Sequence, residues 1–164
     1  MMAGTERLDF VLRRAERTDA YALWLWANDP ETRRASSGRA TIPWAEHQSW
    51  LSDRLPDQSA LVLIAVTPDG QPVGSIRFDT ADAWATARLS YVVAPEARGR
   101  GLSRPLVAKG TALLRQERPG VEVRAEVLDD NARSLAVFRD AGWVEAATPG
   151  GHSLFLLKRR ERNA

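Results

Sequence analysis

The run Arg98-Gly99-Arg100-Gly101-Leu102-Ser103-Arg104 packs three arginines and two glycines between an apolar stretch ending in Val92-Val93-Ala94-Pro95 and the start of a helical pattern. Glycine lets the backbone take conformations that other residues avoid and approach a ligand closely. The N–H groups that open a helix near Gly101 lack intrahelical partners and converge on an anion. Arg98, Arg100 and Arg104 add positive charge at the same place. The chemistry predicted is a phosphate cradle; the plainer reading is a surface turn that uses glycine to start a helix. The stretch has no G-x-x-x-x-G-K-[ST], and Gly99-Arg100-Gly101 is not continued to the third glycine of a dinucleotide fingerprint. His47 is a second residue with chemistry to offer, since an imidazole titrates near neutrality and can act as a base.

These residues need elements to position them. Leu8–Arg14 alternates imperfectly and reads as a first or edge strand. Thr18 can cap a helix whose Tyr21, Leu23, Trp24, Leu25 and Trp26 give a wide apolar face up to Asn28-Asp29-Pro30, and the polar stretch Glu31–Thr41 reads as a loop. Pro43 opens a second helix, Trp44 to about Leu55, that gathers Trp44, His47, Trp50 and Leu51 on one side. That side either walls a pocket for a sugar ring or a nucleobase or turns its tryptophans to the core with His47 at the rim. Leu61–Val66 is an apolar run of strand length, Thr67-Pro68-Asp69-Gly70 a turn, and Val73–Asp79 the return strand of a hairpin.

A loop around Trp84 then leads into strand Thr86–Val93, which enters the phosphate turn. Helix Leu102–Glu117 tolerates Pro105 in its first turn, and Pro119-Gly120 stops it. Val121–Leu128 alternates as a strand, Asp129-Asp130-Asn131 starts a helix, and Ala132–Ala141 keeps helical spacing through Leu135 and Phe138 until Gly142-Trp143. Trp143–Ala146 and His152–Lys158 make a final pair of short strands. The order is β-α-α-β-β-β-α-β-α-β-β, an α/β chain.

Composition narrows the function. At 164 residues and 44% hydrophobic content the chain suits one domain spanning residues 1–164. The absence of cysteine excludes disulfides, thiolate catalysis and thiolate metal ligation. The start lacks an apolar signal core and no stretch approaches membrane-spanning length, so a soluble, cytoplasmic protein with no membrane partner is expected. The isoelectric point near 9.5 comes from arginine, since Lys109 and Lys158 are the only lysines. With a net charge of only +2 and a basic run confined to the tail at 158–164, no nucleic-acid partner is expected.

Arg98-x-x-Gly101-x-Ser103 fits the pattern Arg-x-x-Gly-x-Gly/Ala, with serine in the last place. Preceded by Val92-Val93-Ala94-Pro95, it resembles the acetyl-CoA pyrophosphate loop of the GCN5-related N-acetyltransferases, the GNAT family. About thirty residues later, Asn131-x-x-Ser134, a helix and Gly142-Trp143 fill the places of the second segment of that family, and the element order agrees along nearly the whole chain. The resemblance implies a mixed sheet whose fourth and fifth strands splay to admit the pantetheine arm. It implies acetyl-CoA as acetyl donor, no metal, direct attack by an amine acceptor, and a homodimer left open.

The same resemblance assigns roles. The backbones of Tyr91, Val92 and Val93 pair with the arm and offer an N–H to the thioester oxygen. Arg98, Gly99, Arg100, Gly101, Leu102, Ser103 and Arg104 hold the pyrophosphate. Asn131 and Ser134 stand where the strands part, and Phe138 packs against the arm. Many relatives carry a tyrosine at the Phe138 position to protonate the leaving thiolate; here water, solvent, or a hydroxyl of Ser134 or Tyr91 takes over, or the proton is not limiting. Glu126, five residues before Asn131, matches a glutamate that acts as base, with burial raising its pKa; alternatively it faces solvent or pairs with Arg124 or Arg88. His47 is the second candidate base.

The pattern Leu12-Arg13-x-Ala15, Asp19, Leu25-Trp26-x-Asn28-Asp29, Ile42, His47, Trp50-Leu51 and Val73-Gly74-x-Ile76-Arg77-Phe78 resembles the branch that acetylates amino sugars on nucleotide carriers, as in the pseudaminic-acid pathway. Ribosomal-protein N-acetyltransferases share part of it. Trp26, Asn28, His47, Trp50 and Arg77 are therefore expected to bind the acceptor. A non-catalytic acyl-CoA sensor is the reading from another class.

Overall fold

The apolar run becomes strand β2 (Ala60–Val66), buried from Leu61 onward because both its faces are covered. The structure, a computed structural model, describes residues 7–158; the N-terminal residues 1–6 and the basic tail beyond Lys158 lie outside them. β2 pairs antiparallel with β1 (Val11–Arg14) on one side and with β3 (Pro72–Asp79) on the other. β3 pairs antiparallel with β4 (Thr86–Val93), and β4 runs parallel to β5 (Glu122–Leu128). β7 (His152–Leu157) lies antiparallel to both β5 and the edge strand β6 (Val144–Ala147). The sheet order is β1-β2-β3-β4-β5-β7-β6, the mixed seven-stranded sheet that the resemblance predicts.

Helices α1 (Ala20–Asn28), α2 (Pro30–Arg34) and α3 (Trp44–Arg54) stand on one face, where α3 sets Trp50 under the Arg77 side chain of β3. Helices α4 (Ser103–Glu117) and α5 (Ala132–Asp140) pack together on the other. Gly110 brings α4 close to β3: a Cβ there would sit 2.7 Å from Ile76 Cδ1. The buried core runs through both layers, from Trp26 and Leu51 to Leu106, Leu114, Phe138 and Phe155. Among the described residues no helix is long and apolar enough to cross a membrane.

Two local readings differ. The segment expected as a loop from Glu31 begins with α2, because Asp29 accepts a hydrogen bond from Thr32 N–H at 3.2 Å and Pro30 takes the first helical place. Asp-Pro ends one helix and starts the next. At the front of α1, a short 3₁₀ turn, Arg17–Asp19, replaces a Thr18 cap. Asp19 accepts from Glu16 N–H at 2.8 Å and from both Nη atoms of Arg13 at 2.7 and 2.8 Å, tying β1 to that turn.

Candidate active site

Pairing between β4 and β5 spans only Thr86–Arg88 with Glu122–Arg124. Beyond it β5 continues beside β7 while β4 continues beside β3, so a gap opens between the two parallel strands. Ala94 N–H donates to Val73 O at 2.9 Å and Glu122 N–H donates to Ala85 O at 3.0 Å. Backbone groups alternate sides along a strand, so Leu89, Tyr91 and Val93 turn theirs toward the gap. Val92 sits opposite Ser75 and turns its own toward β3, which corrects the expectation that it pairs with a ligand in the gap.

At the end of β4 the chain passes Gly99 and Gly101, with φ of +75° and +71°, into α4. A Cβ on either glycine would meet nothing within 4 Å, so their freedom serves backbone shape and open space rather than tight packing. The first-turn N–H groups of a fifteen-residue helix then face the same opening. A cleft of about 1050 Å³ joins this turn, the β4–β5 gap and the α1–α3 side of the sheet.

Arg98 and Arg104 of the turn line the cleft while pairing with carboxylates outside the turn. Arg98 donates to Asp29 Oδ2 at 2.7 Å, Glu31 Oε2 at 2.9 Å and Thr32 Oγ1 at 3.1 Å, so its guanidinium belongs to α2. Arg104 pairs with Asp140 of α5. Arg100 is exposed and off the cleft wall. Arg100 therefore stands away from the opening expected to take a pyrophosphate, while Arg98 and Arg104 reach it with their guanidinium groups already paired and the backbone of residues 99–103 runs beside it. Leu102 is buried in the core while still touching the cleft, and Ser103 opens α4 beside it.

Across the gap, Asn131 Oδ1 caps α5 by accepting Ser134 N–H at 3.2 Å, leaving its amide NH₂ as the group for a ligand. The Tyr91 hydroxyl and Ser134 Oγ are 2.8 Å apart. Burial pushes the Tyr91 phenol up, and its hydrogen bonds to Ser134 and Ser103 oppose this without cancelling it. Phe138 stacks on Phe155, meets Trp143 and Tyr91 edge-on, and is 1% exposed at the cleft's floor.

On the other face, Trp50 and Arg77 reach the cleft together, the guanidinium lying 5.1 Å from the ring while its Nε donates to Asp79 at 2.7 Å. Trp26 does not: it is 4% exposed and packs in the core, so its acceptor role is withdrawn. Asn28 is withdrawn as well. Its Oδ1 accepts from Ile42 N–H at 2.7 Å and its Nδ2 donates to Ile42 O at 3.0 Å, which clamps the segment after α2 onto α1. Glu126 lines the cleft, but its side chain is 49% exposed and lies 4.0 Å from Arg88, so the burial expected for it is absent. Arg124 pairs instead with Glu122.

His47 is 5% exposed, between the rings of Trp44 and Trp50, and also reaches the cleft. Its Nε2 is 2.9 Å from Ala20 O, and since a carbonyl only accepts, Nε2 carries the proton and Nδ1 the lone pair. Burial pushes its pKa below 6.5, against the bond to Ala20 O. The unfolded chain then binds a proton that the folded chain refuses, so this contribution to stability is intact above pH 6.5 and falls as pH drops toward the folded value. The slope is at most about 1.4 kcal/mol per pH unit. Urea unfolding should show wild type losing stability relative to His47→Gln below pH 6.5; a pH-independent difference would count against it.

The cleft is also lined by Ser75, Arg88, Ser90 and Glu31, which sequence reasoning did not single out as lining residues. The signal for the strand residues is parity: register places Ser90 beside Arg77 and Val92 beside Ser75, so alternate residues of β3 and β4 share the face of Arg77.

The sequence matches the family described as "Acetyltransferase (GNAT) domain" over residues 9–144. No curated protein matches it. Among solved structures, spermidine N-acetyltransferase from Vibrio cholerae in complex with CoA and spermine superposes with a TM-score of 0.79 at 14% identity, covering 90% of this chain and 92% of that one. Ribosomal-protein-alanine N-acetyltransferase from Brucella melitensis gives 0.72 at 24% identity, covering 89% and 96%. An aminoglycoside acetyltransferase in complex with coenzyme A gives 0.74 at 22% identity, covering 93% and 95%. With the splayed strands, the glycine turn and a family match over most of its length, this chain belongs to the GNAT acetyltransferase family.

Proposed function

We propose that the chain is an acetyl-CoA-dependent N-acetyltransferase that moves an acetyl group to the primary amine of a small polar acceptor, a nucleotide-linked amino sugar, by direct attack. The observation that carries this reading is the open β4 edge at Tyr91 and Val93, continuous with the Gly99–Ser103 turn on one side and with Trp50 and Arg77 on the other. These residues fit CoA: a turn with two positive-φ glycines and a helix N-terminus suits a diphosphate, and an unpaired strand edge suits an amide-bearing arm. Acetyl-CoA supplies the activated acyl group as a thioester.

The chain's own residues do the rest. Backbone N–H groups of the turn bind the diphosphate, and those of Tyr91 and Val93 orient the arm and face its carbonyl oxygen. Glu126, open to water, takes the proton from the attacking amine directly or through solvent. The Tyr91 hydroxyl, kept protonated by burial and bonded to Ser134, holds a proton where Phe138 has none to give.

For the acceptor, Arg77 on Trp50 and the neighbouring Arg88 and Ser90 favour a sugar ring and an anionic group over a polycation. CoA release should be followed with a nucleoside-diphosphate-linked 4-amino sugar, spermidine and a peptide beginning with alanine. The sugar is expected to turn over fastest; preference for the peptide or the polyamine would replace this acceptor, and CoA binding without turnover on a broad amine panel would favour a sensor.

A further inference from the structure

Arg98 sits in the diphosphate turn, yet both its Nη atoms are engaged by α2 and its cap. Nη2 meets Asp29 Oδ2 at 2.7 Å and Thr32 Oγ1 at 3.1 Å, and Nη1 meets Glu31 Oε2 at 2.9 Å. The Arg98 and Asp29 side chains are only 19% and 17% exposed, so water screens this pair weakly. The second carboxylate oxygen of Glu31 reaches Arg133 Nη1 of α5 at 3.3 Å. One short helix thus holds both lips of the donor gap, the turn that follows β4 and the first turn of α5.

The other end of α2 leads into the acceptor side. Arg33 donates to Gly38 O at 2.8 Å, and Asn28 clamps Ile42 through both ends of its amide. Gly38 and Ile42 line the cleft. The path from the diphosphate turn to the acceptor wall is therefore a continuous set of ion pairs and hydrogen bonds, with Arg98 only three residues before Gly101.

We propose that Asp29 and Glu31 are positioning residues that latch the acceptor-side segment 30–42 to the diphosphate turn through Arg98, so that occupancy of the donor gap orders the acceptor site. The latch rests on the reading of the gap as a CoA site. Arg98 acts in it as a structural partner of α2 and not as a phosphate ligand. A ligand that steadies the turn steadies Arg98 and with it α2, and the coupling is reciprocal, so an acceptor seated against 30–42 tightens the hold on the donor.

Hydrogen exchange of the full chain with and without saturating CoA tests this without needing the acceptor. Asp29→Asn is the informative variant: asparagine caps a helix as well as aspartate does, so α2 keeps its start while the negative charge facing Arg98 is lost. In wild type, CoA is expected to slow exchange over 99–106 and also over 30–42. In Asp29→Asn it should slow 99–106 alone, with the CoA dissociation constant from calorimetry changed by less than about threefold. Arg98→Ala should behave the same way.

Slowing over 30–42 that survives in both variants would overturn the latch, as would its absence in wild type with CoA bound. A loss of CoA affinity beyond about tenfold in Arg98→Ala would make Arg98 a phosphate ligand and equally overturn it. If wild type gave no CoA heat at all, the cofactor reading would fall together with the latch.

Discussion

Gly101→Val is expected to weaken CoA binding by about a hundredfold, roughly 2.8 kcal/mol, while the chain stays folded. Gly101 has φ +71°, where a β-branched residue is strained by about 1–3 kcal/mol, so the turn would relax away from its present shape. Relaxation moves the N–H groups of residues 101–103, and each hydrogen bond to a charged group is worth about 1.5–3 kcal/mol. The fold itself should tolerate the change, because a Cβ at Gly101 meets no atom within 4 Å. Calorimetry with CoA reads the affinity and urea unfolding reads the stability. An unchanged dissociation constant would place the diphosphate elsewhere; a collapse of stability would mean that the turn is a folding element first.

The contrast between side chains and backbone at this turn shows what a sequence can carry. Glycine position and helix start are local, and Gly99, Gly101 and the opening of α4 follow from spacing alone. The partners of Arg98 are not local: Asp29 stands 69 positions away, and nothing in an arginine's type says which carboxylate it will meet. Trp26 and Trp50 look alike in their helical patterns, and only the docking of α1 against the sheet sends one to the core and the other to the cleft. Asn28 is legible as a polar residue near a helix end, but its two bonds to Ile42 depend on a loop that returns fourteen residues later. Strand β4 follows its predicted bounds, whereas the side to which Val92 turns its backbone is fixed only once β3 is in register. Glu126 was readable: Val123, Ala125 and Val127 alternate with Glu122, Arg124 and Glu126, and the polar set lies on the more exposed face.

That exposure shapes the second large effect. Glu126→Gln is expected to lower kcat by about a hundredfold, within the range a positioned base supplies, and to leave the CoA dissociation constant within about twofold. Glutamine fills the same volume and keeps an oxygen near Arg88, so what is lost is the capacity to accept a proton. An exposed carboxylate can take that proton through water, and a half-open position beside the cleft keeps the relay short. His47 offers only Nδ1, because Nε2–H is committed to Ala20 O, and its depressed pKa leaves the ring neutral and able to accept at pH 7. The pair of variants separates the two bases. Should Glu126→Gln keep its kcat while His47→Gln loses it, with a rate that in wild type falls only below pH 6.5, the base is the imidazole and Glu126 serves to neutralise Arg88 on the acceptor wall.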